Sequence, residues 1–254
     1  MASNSSSSSE FTGRVALVTG GARGLGRGIA ELLASRGCTV AIVDRKAKWA
    51  QGAAEAIGCG AFGLGADVSV QAEVQAAVAA TVARCGRLDI VVNNAMWNRY
   101  DPLADITPAT VDRMLGVGFG AILWTTQAAA PAMRAGGGGA IVNIASVSAR
   151  LGFAGAMVYC GVKAGVEGLT RAAAAELACD RIRVNAVAPS TIATEGVRAM
   201  LDTDAFAARV ADTPLRRLGE IADIAEAVAF LASVRAAFVT GQTLIVDGGI
   251  TAVL

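Results

Sequence analysis

Histidine is absent from the sequence altogether, which removes the commonest imidazole metal ligand and the side chain most often recruited for proton transfer near neutral pH. The cysteines, Cys38, Cys59, Cys85, Cys160 and Cys179, are dispersed and form no C-x-x-C pair. With no histidine to complete a ligand set, they exclude an ordinary zinc site and read as free thiols of a reducing compartment; no metal is expected. A formal charge of +1 gives no electrostatic reason to expect nucleic acid or an anionic membrane as partner. No apolar run approaches the roughly 20 residues that span a bilayer, and the start "MASNSSSSSEF" lacks the charged-then-apolar pattern of a signal peptide. These absences leave a cytoplasmic protein that handles a small molecule as the expectation.

What the sequence has in abundance is apolar residues, 54% of the chain against 17% charged, a balance that suits strands buried on both faces. Short β-branched runs, "RVALVTG", "TVAIVD", "DIVVNNA", "GAIVNIAS", "IRVNAVAP" and "TLIVDGG", alternate with Ala-rich stretches of helical period near residues 24–36, 70–85, 108–134, 156–179 and 220–233. Strand, helix, strand in this rhythm predicts an α/β fold, a doubly wound parallel sheet in a single domain over residues 11–254. Residues 1–10 are expected to be a disordered Ser-rich tail, and the "GGGG" tract at 136–139 a permissive surface turn.

Directly after the first strand comes "GARGLG", which sets Gly20, Gly24 and Gly26 in a G-x-x-x-G-x-G spacing where a helix begins, with Arg23 and Leu25 between them. Glycines there let backbone approach a pyrophosphate, and the helix N-terminus meets its charge. The next strand ends in Asp44, 18 residues beyond Gly26, where a carboxylate accepts the ribose hydroxyls of adenosine and repels a 2′-phosphate. Arg23, Arg45 and Lys46 could instead pair with that phosphate; Asp44 weighs more, and NAD is favoured over NADP.

Tyr159 and Lys163 stand four apart in "YCGVK" and share one helix face. A neighbouring ammonium is expected to bring the tyrosine pKa down toward working pH, making a general acid and base. Ser146 ends the strand 13 residues earlier and can hydrogen-bond the same substrate oxygen. Hydride transfer to a ketone needs such a proton donor, and the reverse reaction needs the acceptor.

From about Gly13 to Gly249 the chain resembles the short-chain dehydrogenase/reductase family, in "TGGARGLG", "DV" at Asp67 and Val68, "NNA" at 93–95, Ser146, "YCGVK" and the late "TGQTLIVDGG". The resemblance implies a Rossmann-like fold, Tyr159 as acid/base, Ser146 orienting the substrate oxygen, and Lys163 holding the nicotinamide ribose. It also implies that Asp67 and Val68 flank the adenine, that Asn94 lies along the adenosine side, and that Ile192 and Thr194 meet the carboxamide. A homotetramer is implied as well.

Three family positions are changed: Met96 and Ser190 replace glycines, and Gly118 stands where the family generally carries an asparagine. The expectation is that water fills the space left at Gly118 and still bridges Lys163 to solvent. The substrate wall is expected to include Met96, Trp97, Phe153 and Met157, with a lid over residues 194–214 adding Met200 and Phe206, which favours a hydrophobic or cyclic alcohol or ketone. Competing readings are an NADPH-dependent 3-oxoacyl-thioester reductase and a catalytically impaired dinucleotide-binding protein.

Overall fold

The computed structural model describes residues 10–200 and 202–253; residues 1–9 of the expected tail lie outside them. Glu10, which the sequence reading placed in that tail, pairs with Arg36 at 3.3 Å and Arg235 at 2.9 Å. Seven parallel strands form one sheet: β1 (Val15–Thr19), β2 (Thr39–Asp44), β3 (Phe62–Gly65), β4 (Ile90–Asn93), β5 (Gly139–Ile144), β6 (Ile182–Pro189) and β7 (Thr243–Val246), in the spatial order β3-β2-β1-β4-β5-β6-β7. The order reverses between β1 and β4. In an open parallel sheet that switch point leaves a crevice at the carboxyl ends of the strands, where ligands bind.

The period-two alternation of each strand divides the core. Ala16, Val18, Val40, Ile42, Ile90, Val92 and Val142 face the layer of α1 (Gly24–Ser35), α2 (Ala47–Ile57) and α9 (Ile221–Ala232). Val15, Leu17, Ala41, Val43, Val91, Ile141 and Val184 face α3 (Gln71–Cys85), α5 (Ala121–Ala135) and α6 (Met157–Leu177). Both faces are apolar because both are covered. Beneath the crevice, Thr125, Asn93, Asn143 and Thr170 form a buried chain of hydrogen bonds of 2.6–2.9 Å that ties α5, β4, β5 and α6 together.

Three features depart from the sequence reading. The pair α2 and β3 is not anticipated, because "FGLG" is four residues long, half glycine and without a β-branched residue; Gly63 is required, since a Cβ there would collide with the backbone of Ala50 and Gln51. The helix expected over 108–134 is two, α4 (Pro108–Leu115) and α5, joined by a π-helical segment at Gly116–Gly120. The lid is helical, α7 (Glu195–Met200) and α8 (Thr203–Asp212). Among the described residues no helix is long and apolar enough to cross a membrane.

Candidate active site

The turn after β1 is built around close approach. A Cβ on Gly26 would collide with the Gly20 carbonyl oxygen and the Asn94 side chain, and Gly20 itself has φ +61°. Across the switch point, Asn94 Nδ2 donates to the carbonyls of Thr19 and Gly20 at 3.0 and 3.1 Å. The amide of Asn94 therefore holds the glycine turn in place. Gly24 opens α1 with φ +55°, and no heavy atom comes within 4 Å of where its Cβ would stand. No side chain caps that helix and no acidic residue sits in its first turn, so the open space at its N-terminus suits an anionic diphosphate.

At the tip of β2 the Asp44 carboxylate accepts no hydrogen bond from the described residues. Two of the nearby cations are occupied by Trp49 of α2: the Arg23 guanidinium lies 5.5 Å from the ring centroid and Lys46 Nζ 4.0 Å. Beyond β3, Asp67 accepts from the backbone N–H and hydroxyl of Ser69 at 3.0 and 2.6 Å. Burial opposes ionisation of Asp67, but the two Ser69 bonds with Arg45 and Arg113 more than offset it and hold the carboxyl below its ordinary value. Val68 beside it is buried. Gly20, Arg23, Gly24, Gly26, Asp44, Asp67 and Val68 thus gather at the tips of β1, β2 and β3, where they fit the adenosine and diphosphate half of a dinucleotide.

The other half of the crevice is a cleft of about 550 Å³ that brings together Leu25, Asn94, Ser146, Tyr159, Lys163, Ile192 and Thr194. Ser146 follows β5 with extended backbone, and its oxygen accepts from the Ser148 N–H at 3.1 Å. Tyr159 and Lys163 lie in the first turns of α6, the lysine Nζ 5.8 Å from the tyrosine ring centroid. Lys163 is buried, and its Nζ donates to the Ile144 carbonyl at 2.6 Å. Ile192 bridges to Gly219 in parallel, and Thr194 Oγ1 accepts from the Val197 N–H at 3.3 Å as α7 begins.

Here the electrostatics correct the sequence reading. Burial pushes the Tyr159 phenol up to about 12, against a smaller downward pull from Ser146 and minor upward ones from Tyr100 and Cys160. Burial alone pulls Lys163 down to about 8. Desolvation wins over the expected help of the lysine, because the ammonium lies over the Ile144 carbonyl rather than against the phenol oxygen. In the protein alone burial therefore favours the protonated phenol of Tyr159.

The space at Gly118 is not open for water. An ideal Cβ there would stand 2.6 Å from Val162 Cγ1, 2.7 Å from Met96 Sδ and 3.1 Å from Met96 Cε. The methionine that replaces one glycine fills the gap left by another. Of the expected apolar wall, Met96 and Phe153 line the cleft. Trp97 lies instead under the Arg113 guanidinium at 4.3 Å, Met157 is largely exposed, and Phe206 packs beside Arg198 at 5.9 Å. The side chain of Met200 lies outside the described residues. The sequence reading did not anticipate Asn98, Tyr100, Ser148, Thr191, Val197 and Arg209, which also line the cleft. The rings of Tyr100 and Tyr159 meet edge to face at 5.7 Å.

Residues 20–251 match the family described as enoyl-(acyl carrier protein) reductase. The chain belongs to the short-chain dehydrogenases/reductases. It is 38% identical over 237 residues to 3-oxoacyl-(acyl-carrier-protein) reductase FabG of Vibrio harveyi, covering 93% of this chain and 97% of that one. It is 37% identical to a sorbitol dehydrogenase of Cereibacter sphaeroides, again over 93% of this chain and 97% of that one. A solved structure from Sinorhizobium meliloti 1021, assigned to the short-chain alcohol dehydrogenases, superposes with a TM-score of 0.92 at 35% identity, covering 96% of this chain and 99% of that one. This short-chain dehydrogenase/reductase is an NAD(P)-dependent oxidoreductase by family membership.

Proposed function

We propose that the protein transfers a hydride between NAD and a secondary alcohol or ketone in the cytoplasm, working as a homotetramer. The observation that carries this reading is the convergence of Ser146, Tyr159 and Lys163 on one cleft beside the glycine turn. A dinucleotide bound at that turn supplies or accepts the hydride. The chain's own residues do the rest. Tyr159 gives its proton to the substrate oxygen during reduction and takes it back during oxidation, and Ser146 orients that oxygen by a hydrogen bond. Lys163 binds the nicotinamide ribose and, through its charge, favours the phenolate that forms once the proton has left. Ile192 and Thr194 hold the carboxamide, and Asp67 and Val68 flank the adenine.

NAD rather than NADP is supported by the unengaged carboxylate of Asp44 and by the seating of Arg23 and Lys46 against Trp49. The apolar wall of Met96, Phe153 and Val197 suits a substrate with a hydrophobic or cyclic body. A second reading, an NADPH-dependent 3-oxoacyl-thioester reductase, is favoured by the 38% identity to FabG. Titration of NADH and NADPH fluorescence, followed by a panel of ketones, alcohols and 3-oxoacyl thioesters, separates the two. Tighter NADH binding with turnover of simple ketones supports the first reading; tighter NADPH binding with turnover of thioesters alone replaces it.

A further inference from the structure

The cleft that receives the substrate carries a cation with no counterpart. Arg209, on the lid helix α8, lines the same cleft as Ser146 and Tyr159, and no aspartate or glutamate lines it. Its Nη1 makes one long hydrogen bond, 3.3 Å to Thr191 Oγ1. Nine of the nineteen arginines, Arg14, Arg27, Arg36, Arg87, Arg99, Arg134, Arg150, Arg217 and Arg235, each meet a carboxylate within 3.3 Å, whereas Arg209 is exposed and belongs to the ten that do not among the described residues. It meets none although Asp212 stands three positions along the same helix. Two neighbouring arginines are turned elsewhere: Arg198 of the lid lies beside Phe206 with Nε on the Ala193 carbonyl, and Arg216, just beyond the lid, donates to the Ala211 carbonyl. The second cation of the cleft, Lys163, is buried, donates to the Ile144 carbonyl and serves the nicotinamide ribose in the proposed reaction.

A guanidinium on a substrate-facing wall, held by one neutral hydroxyl, has unused donors in a planar fork that matches a carboxylate or a phosphate. Asn98, Tyr100 and Thr191 add neutral polar groups to the same walls, while Met96 and Phe153 supply the apolar ones. We infer that Arg209 is a specificity residue and that the substrate is an oxo or hydroxy compound bearing an anionic group, a carboxylate or a phosphate ester, which this guanidinium grips. The inference rests on the dehydrogenase reading for the reacting carbonyl and narrows it from any secondary alcohol to an acidic one.

The test measures dissociation constants of matched pairs for the NAD-loaded protein, a pairing of oxidised cofactor with oxo compound that cannot turn over. The pairs are acetoacetate against methyl acetoacetate, and dihydroxyacetone phosphate against dihydroxyacetone, so that the carboxylate and phosphate arms are read separately. At least one charged member is expected to bind about ten- to a hundred-fold more tightly than its neutral partner. Arg209→Gln should erase that preference, Arg209→Lys should keep part of it, and NAD affinity should be the same in all three proteins. Equal or tighter binding of both neutral members, or a preference that survives in Arg209→Gln, overturns the inference. So does weaker NAD binding by Arg209→Gln, which would assign the guanidinium to the cofactor diphosphate. Turnover of acetoacetate or dihydroxyacetone phosphate with NADH reads the dehydrogenase assignment separately, and its absence alongside an intact charge preference would count against that assignment alone.

Discussion

Restoring the asparagine at position 118 is expected to damage this protein. The Cβ alone would stand 2.6 Å from Val162 Cγ1 and 2.7 Å from Met96 Sδ, both well inside van der Waals contact, and the amide adds three heavy atoms beyond it. Val162 cannot yield easily: it is β-branched, 2% exposed, and adjacent to Lys163 on α6. Overpacking of this kind costs about 1–3 kcal/mol, offset by about 0.5–1 kcal/mol from removing a helical glycine. A net loss of up to about 2.5 kcal/mol corresponds to a fall in melting temperature of up to roughly 10 °C for a chain of this size. Turnover should fall too, because Met96 can swing aside but relief at Val162 displaces α6 and with it Tyr159 and Lys163. Shortening the partner tests the cause. In Gly118→Asn combined with Met96→Gly the amide gains the space of the thioether, so the two substitutions should couple favourably by about 1 kcal/mol or more. Thermal melts and turnover of the four proteins decide the matter. A Gly118→Asn protein as stable and as fast as the parent, with no coupling to Met96, would refute the packing account and return the position to water.

Asp44→Ala should weaken NADH binding about ten-fold or more, through lost hydrogen bonds to the ribose diol, and should narrow the gap to NADPH; fluorescence titration checks both, and unchanged NADH affinity removes Asp44 from the site. Lys163 has a folded-state pKa of about 8 against an ordinary 10.5, so between those values the unfolded chain binds more protons. The burial penalty is then full below pH 8, and stability from this group rises as pH climbs from 8 to 10.5. Urea unfolding should show that rise in the wild type and not in Lys163→Met, whereas parallel profiles would mean that Lys163 titrates normally. Light scattering at micromolar concentration should report a tetramer, and a monomer would contradict the proposed assembly.

Much of this architecture is legible in the sequence because its signals are local. Six of the seven strands announce themselves as β-branched runs, and the spacing of Tyr159 and Lys163 places both on one helix face without any knowledge of the fold. The rest depends on contacts that sequence does not display. Gly63 disqualifies β3 as a strand by composition, yet the close passage of α2 is what demands it. Met96 and Gly118 are exchanged together, and nothing but their contact reveals that one change fills the space made by the other. Arg209 reads as an ordinary exposed helical arginine, and it is exposed, but only the fold shows that it lines the cleft with no carboxylate beside it. The direction of the Tyr159 shift is hidden for the same reason: spacing shows that a lysine is near, whereas the degree of burial that overrides it is a property of the folded chain.

The central claim is that Tyr159 passes the proton that accompanies hydride transfer. Single-turnover oxidation of bound NADH by a ketone, followed by the loss of cofactor fluorescence in the wild type and in Tyr159→Phe, tests it most directly. The phenylalanine ring keeps the packing against Tyr100 but has no proton to give. NADH affinity should stay within about two-fold, while the rate falls by about a hundred-fold or more, the scale of a lost general acid. A variant that binds NADH normally and retains most of the wild-type rate would show that another group delivers the proton.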